Sequence, residues 1–125
     1  KDAVQAFTDA GIPTSMFIDP NEKQLEASAK IGSPWVELHT GSFARAWYDQ
    51  PKRAAELEIL RKGMEFGISL GLRVNAGHGI NYDNVEGAKQ LEQVYEFNIG
   101  HSIISRSITH GLAEAVQTMR CRLND

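Results

Sequence analysis

The chain has a single cysteine, Cys121, in 125 residues. No internal disulfide can form, so a reducing, cytoplasmic setting is expected. No apolar run approaches the ~20 residues of a membrane-crossing helix. Basic residues are not in excess: 13 lysines and arginines stand against 16 aspartates and glutamates, a formal net charge of −3. That balance gives no footprint for nucleic acid or an anionic membrane. Low-complexity segments and linker-like stretches are also missing, so residues 1–125 are expected to form one domain. The opening Lys1-Asp2-Ala3-Val4 lacks a signal-peptide pattern and looks like the middle of a helix.

What is present suits a globular fold. Hydrophobic residues make up 42% and charged residues 23%, in a chain long enough for a proper core. Val4, Phe7 and Ala10 share a helical face that ends at Gly11. Ile12 to Ile18 follows as a short apolar strand. Asp19-Pro20, with Glu22 three residues after Asp19, has the form of a capped helix start. That helix turns Leu25 and Ala29 inward and stops at Gly32. Pro34 to His39 is the second strand. The aromatic stretch Phe43 to Gln50 is expected to be a loop. A longer helix starts near Pro51, with Asp49 as its cap. It aligns Leu57, Leu60, Met64 and Ile68 for packing on a sheet, and Gly71 closes it.

The third strand spans Leu72 to Ala76 and ends in Gly77-His78-Gly79. Asp83 and Glu86 suggest another capped start, with Val85, Ala88 and Leu91 as an apolar stripe. Tyr95 to Ile99 is the fourth strand. The last helix begins near His101 and carries Ile104, Ile108, Leu112, Ala115, Met119 and Leu123 on one side. Gly111 interrupts it.

The result is a helix and then four strand–helix units of roughly 30 residues, the size of a βα repeat. Such alternation implies a parallel sheet. It fits either a complete doubly wound sheet or half of a (β/α)8 TIM barrel, since whole barrels take about 250 residues. Periodicity alone does not separate the two. The helical opening favours the half barrel.

Both architectures bind ligands at the carboxyl ends of their strands. The polar residues gather there: Asp19, Glu37, His39, His78 and His101. Asn-x-Gly-His occurs twice, at Asn75 to His78 and at Asn98 to His101, one strand–loop–helix unit apart. Gly77 and Gly79 flank His78 and let the backbone approach a small molecule. Gly100-His101-Ser102 runs straight into a helix, whose free amides and dipole favour an anion. In a second half barrel, Gly79 and Gly100-His101 would fall at the usual phosphate loops. Trp35, Glu37 and His39 share one strand face. A carboxylate buried on that face suits acid–base work or stabilisation of a cationic intermediate, unless it pairs with Arg73 as a structural ion pair. Zinc is a weak alternative for His39, His78, His101 and Glu37, because their spacings match no compact ligand motif. Cys121, far along the last helix, is expected to be a small core or surface residue.

Val36-Glu37-Leu38-His39-Thr40-Gly41, Val74 to Gly79 with Asn84-Val85, and Asn98 to Ile104 together resemble the pyridoxine 5′-phosphate synthases of vitamin B6 biosynthesis. Gly11-Ile12 through Asp19 and Ser69-Leu70-Gly71-Leu72 fit the same pattern, in register over essentially the whole chain. The resemblance implies a (β/α)8 barrel of which this is the carboxy-terminal half, strands five to eight. It implies condensation of 1-deoxy-D-xylulose 5-phosphate with 3-amino-2-oxopropyl phosphate, giving pyridoxine 5′-phosphate, phosphate and water. By the same likeness His78 is the proton donor, Glu37 stabilises charged intermediates, and Gly79, Gly100 and His101 bind the amino-ketone phosphate. No cofactor and no metal is implied, the partners being phosphorylated small molecules and further copies of the chain in a homo-oligomer.

One departure is large. No stretch matches the family's amino-terminal Asn-x-Asp-His segment, so the chain alone is not expected to run the condensation. Another phosphate-binding barrel enzyme of the isomerase or aldolase type is the alternative, weakened because no lysine stands at a strand end. A doubly wound phosphoryl acceptor would need clustered aspartates, and only Asp19 fits. A non-catalytic structural fragment is the remaining possibility.

Overall fold

The computed structural model describes residues 1–124. The elements run α1 (Asp2–Asp9), β1 (Ser15–Ile18), α2 (Glu22–Lys30), β2 (Trp35–His39), α3 (Gly41–Arg45) and α4 (Gln50–Ser69). Then come β3 (Arg73–Gly77), α5 (Val85–Ala88), β4 (Phe97–Asn98), α6 (His101–His110) and α7 (Leu112–Asn124). The four strands are parallel and lie in chain order, β1-β2-β3-β4.

That order separates the two architectures. A doubly wound sheet reverses its strand order at a switch point and carries helices on both faces. Here every crossover joins a strand to its next neighbour, and crossovers of one hand place the helices on one side. The strand residues that join the apolar core are Met16, Ile18, Val36, Leu38, Val74 and Phe97. They meet Leu25 of α2, Leu57, Leu60 and Met64 of α4, and Met119 of α7. The opposite face carries Phe17, Trp35, Glu37, His39, Arg73, Asn75, Gly77 and Asn98 by the strand register. An apolar face under helices and a polar, aromatic face turned the other way are what half of a (β/α)8 barrel presents, the second face being the lumen side.

Several local expectations change. Asp19 does not cap α2. The N-cap is Asn21, whose side chain accepts from the amides of Lys23 and Gln24. Pro20 is instead wedged against α4, where a Cβ on Gly63 would lie 2.8 Å from its ring. Asp49 does cap α4 and accepts from the Lys52 amide. Its hydrogen bonds with the Lys52 side chain and amide hold its carboxyl below the ordinary carboxylate range. The expected loop at Phe43 begins in helix α3, because burying Phe43 and packing its ring against Trp47 draws the segment into a turn.

The stripe on α4 follows Leu57, Leu60, Met64 and then Gly67, not Ile68, which is exposed. Gly67 sits where Val74 and Leu25 leave no room for a longer side chain. Asp83 and Glu86 do not cap α5. Asn81 and Asn84 form an interlocked turn there, Asn81 accepting from the amides of Asp83 and Asn84 while Asn84 accepts from Asn81. Val85, Ala88 and Leu91 are buried, as their spacing suggests. β4 is shorter than the apolar run, although Tyr95 already donates to Val74 across the ladder.

The long stripe on the last helices holds only in part. Ala115 and Met119 are buried and Leu123 is partly so, but Ile104, Ile108 and Leu112 are exposed. No residue of α6 is fully buried: Ile103 packs partly against the core, while Ile104 and Ile108 face away from it. On α1 only Val4 is buried, with Phe7 about half exposed at 49%. No described helix is long and apolar enough to cross a membrane.

Candidate active site

The loop after β3 is fixed from three sides. His78 has φ 69°, in the left-handed region, and Gly79 follows at φ 96°. Histidine is among the few non-glycine residues that visit this region. The neighbouring strand end holds the turn there. The Thr40 amide donates to the Gly77 carbonyl at 2.8 Å, and the Thr40 hydroxyl lies 2.8 Å from that oxygen and 2.7 Å from the His78 carbonyl. Asn84 donates to the Gly79 carbonyl at 3.0 Å. The carbonyls of the loop are thereby turned into the protein, and the His78 imidazole is left exposed.

The second corner is joined to the first. The Ser102 hydroxyl, in the first turn of α6, donates to the Ile80 carbonyl at 2.9 Å. Gly100 is the N-cap of α6 and supplies no capping side chain. The first amides of the helix therefore lack an intrahelical acceptor. They open, with the positive end of the helix dipole, onto the space beside His78.

That space is a cavity of about 680 Å³. His78 and Gly79 form one side, Gly100, His101 and Ser102 another, and Glu37 and Asn98 a third, with Phe17 at the edge. The two glycine–histidine corners thus converge on one pocket at the carboxyl rim of the sheet. No lysine or arginine is among the described lining residues, so an anion there would be met by amides and imidazoles.

His39 stands behind this wall. Its Nδ1 is 3.4 Å from a carboxylate oxygen of Asp19, and its ring centre is 4.7 Å from that of His78. It packs edge-on against Phe17 and is not among the lining residues. Glu37 makes no ion pair among the described residues, so the pairing with Arg73 is absent. Arg73 lies instead over two rings, 5.3 Å from Trp35 and 5.1 Å from Tyr95, where the cation meets the π faces. No group of three or more described histidine, cysteine, aspartate or glutamate side chains is arranged to hold a metal ion. Cys121 is exposed on α7, away from the lining.

The sequence comparisons point the same way as this geometry. The family model for the pyridoxal phosphate biosynthesis protein PdxJ matches residues 1–125. The chain belongs to the PdxJ family. It is 51% identical over 121 residues to a pyridoxine 5′-phosphate synthase of Prochlorococcus marinus, covering 96% of this chain and 48% of that one. It is 48% identical over 121 residues to the synthase of Opitutus terrae, covering 97% and 49%. Against the synthase of Blochmanniella pennsylvanica it is 44% identical over 125 residues, covering 100% and 51%. The chain therefore spans about half the length of the curated relatives it matches.

Within this PdxJ-family chain, Asn98 and Thr40 are the site residues that sequence reasoning passed over. Asn98 donates to Glu37 Oε2 at 2.6 Å. The repeated Asn-x-Gly-His was the available signal, since it sets an asparagine three residues before each histidine. Thr40 gives no such signal, because its partners are main-chain carbonyls on another strand.

Proposed function

We propose that this chain supplies the carboxy-terminal half of a pyridoxine 5′-phosphate synthase. The reaction joins 1-deoxy-D-xylulose 5-phosphate to 3-amino-2-oxopropyl phosphate and releases pyridoxine 5′-phosphate, phosphate and water. Convergence of His78 and the uncapped start of α6 on one cavity carries the reading. The phosphate of the amino ketone rests on the amides of Gly79, Gly100 and His101, where hydrogen-bond donors and the helix dipole favour a dianion. His78 is the proton donor. Fixed above the cavity by Thr40 and its glycine neighbours, it protonates a hydroxyl group that leaves as water. Glu37, with no cationic partner among the described residues, faces the positive charge that develops on nitrogen-containing intermediates. No cofactor enters this scheme, and a cytoplasmic location suits a chain with one unpaired cysteine.

The reading is tested in two steps on this chain. Inorganic phosphate, titrated while amide signals are followed by NMR, should shift Gly79 and Gly100 first. Silence at both would favour a mere scaffold. Given both phosphorylated substrates, the chain alone should not turn over, and adding the amino-terminal half of the Opitutus terrae synthase should restore product. No product from the mixture, with both halves folded, would count against the assignment.

Association of copies is part of the same proposal. β1 and β4 lie at the two edges of the sheet and present unpaired main-chain groups on their outer sides. Light scattering should give a mass above that of one chain, and a monomer at all concentrations would defeat the idea.

A further inference from the structure

Glu37 is held from two strands away. It lies on β2, and Asn98 lies on β4, with β3 between them. The carboxylate crosses β3 at Gly77. A Cβ there would collide with Glu37 Oε1 and stand 2.9 Å from the Asn98 carbonyl oxygen. Beyond that gap the Asn98 amide donates to Oε2 at 2.6 Å. Among the described residues this is the only hydrogen bond the carboxylate receives, and no ion pair reaches it. The strand register sets Asn75 directly beside Glu37, yet among the described residues its side-chain amide makes no hydrogen bond to the carboxylate. Asn75 therefore does not hold the carboxylate.

We propose that Asn98 is the positioning residue for Glu37, a role that rests on the synthase reading above. A glutamate carries three side-chain torsions and, untied, would sample several directions across an open lumen. The Asn98 amide removes that freedom. It fixes Oε2 on the β4 side and keeps the carboxylate on the cavity wall, between His78 and the start of α6. Asn98 also stands two residues before Gly100. The short segment that delivers the phosphate-binding helix start thus also aims the carboxylate, so the distance between anion site and carboxylate is built into one piece of chain. Only an amide-bearing side chain of this length serves. Aspartate would set a second negative charge against Glu37, and alanine would leave the carboxylate loose.

The test uses the full-length synthase that carries this chain. Asn98→Ala should lower kcat by about 10- to 100-fold, the effect of losing one hydrogen bond to a charged group, with KM for the amino ketone changed less than about threefold. Asn98→Asp should be at least as impaired at neutral pH. It should recover as the pH falls, because the introduced carboxyl, once protonated, can donate to Glu37. The other titratable groups facing the site are Glu37, His78 and His101 at the cavity and the Asp19–His39 pair behind it. They are common to all three proteins, so recovery is scored against the wild-type and Asn98→Ala profiles. Unchanged kcat in Asn98→Ala would overturn the proposal, and so would an Asn98→Asp profile without acid recovery, the mark of a merely structural side chain.

A readout independent of turnover accompanies this. In this chain the Asn98 side-chain amide protons should be shifted downfield and slow to exchange, and Glu37→Leu should abolish both features. Identical signals in the two proteins would refute the tie itself. A wild-type enzyme without synthase turnover, but with the shifted amide, would instead defeat the functional reading and leave the tie standing.

Discussion

His78→Asn in the full-length synthase should lower kcat by about 10²- to 10⁴-fold, the range for removing a general acid, if the proposed role holds, while the protein stays folded. Asparagine is chosen because it tolerates the left-handed backbone that His78 adopts at φ 69°. The loop is held through main-chain carbonyls by Thr40 and Asn84, so the imidazole is not what supports it. Because His78 is exposed, the substitution should change stability by no more than about 0.5 kcal/mol. Steady-state kinetics with both substrates, beside a urea titration, measure the two effects separately. Activity within about threefold of wild type would remove His78 from the chemistry. A large drop in the urea midpoint would instead mean that the imidazole braces the loop.

Gly77→Ala is the second large effect, and it acts on fold and site together. Gly77 is buried at the end of β3, between two strands. Of the two groups its methyl would meet, the Glu37 carboxylate can swing aside, but the Asn98 carbonyl is main chain and cannot. Relief requires the Glu37 side chain to leave, breaking its hydrogen bond with Asn98, and β4 to move away from β3. Overpacking of this kind costs about 1–3 kcal/mol. We expect a lower urea midpoint and a loss of kcat of at least about 10-fold, since Glu37 can no longer reach Asn98 across the strand. An unchanged midpoint, with the Asn98 amide signal intact, would show that the sheet has slack at this corner and that the bare Cα is not needed.

The elements most legible in the sequence were those fixed by neighbours a few residues away. The Asp49 cap and the glycine stops at Gly32 and Gly71 depend on local hydrogen bonds and on φ, and they hold. At the first Asn-x-Gly-His corner His78 and Gly79 do take positive φ, but Gly77 is needed for contacts with Glu37 and Asn98 on other strands. Where a local signal had a rival close by, the choice went astray: Asn21 displaced Asp19 as the cap of α2, and the Asn81–Asn84 turn displaced the Asp83–Glu86 pair. Spacing showed that α6 has an apolar side but not whether anything lies against it, and Ile108 stands 83% exposed.

By itself the sequence determined which residues stand at strand ends and that a glycine–histidine pair follows two of those strands. These are consequences of backbone preference and of a two-residue side-chain repeat, both written over short spans. Only the tertiary structure decided that the strands pair in chain order, that the helices cover one face alone, and that Glu37 meets Asn98, 61 residues further along. The physical reason is distance along the chain. A contact made across an intervening strand depends on the register of two ladders at once, and no local preference encodes both.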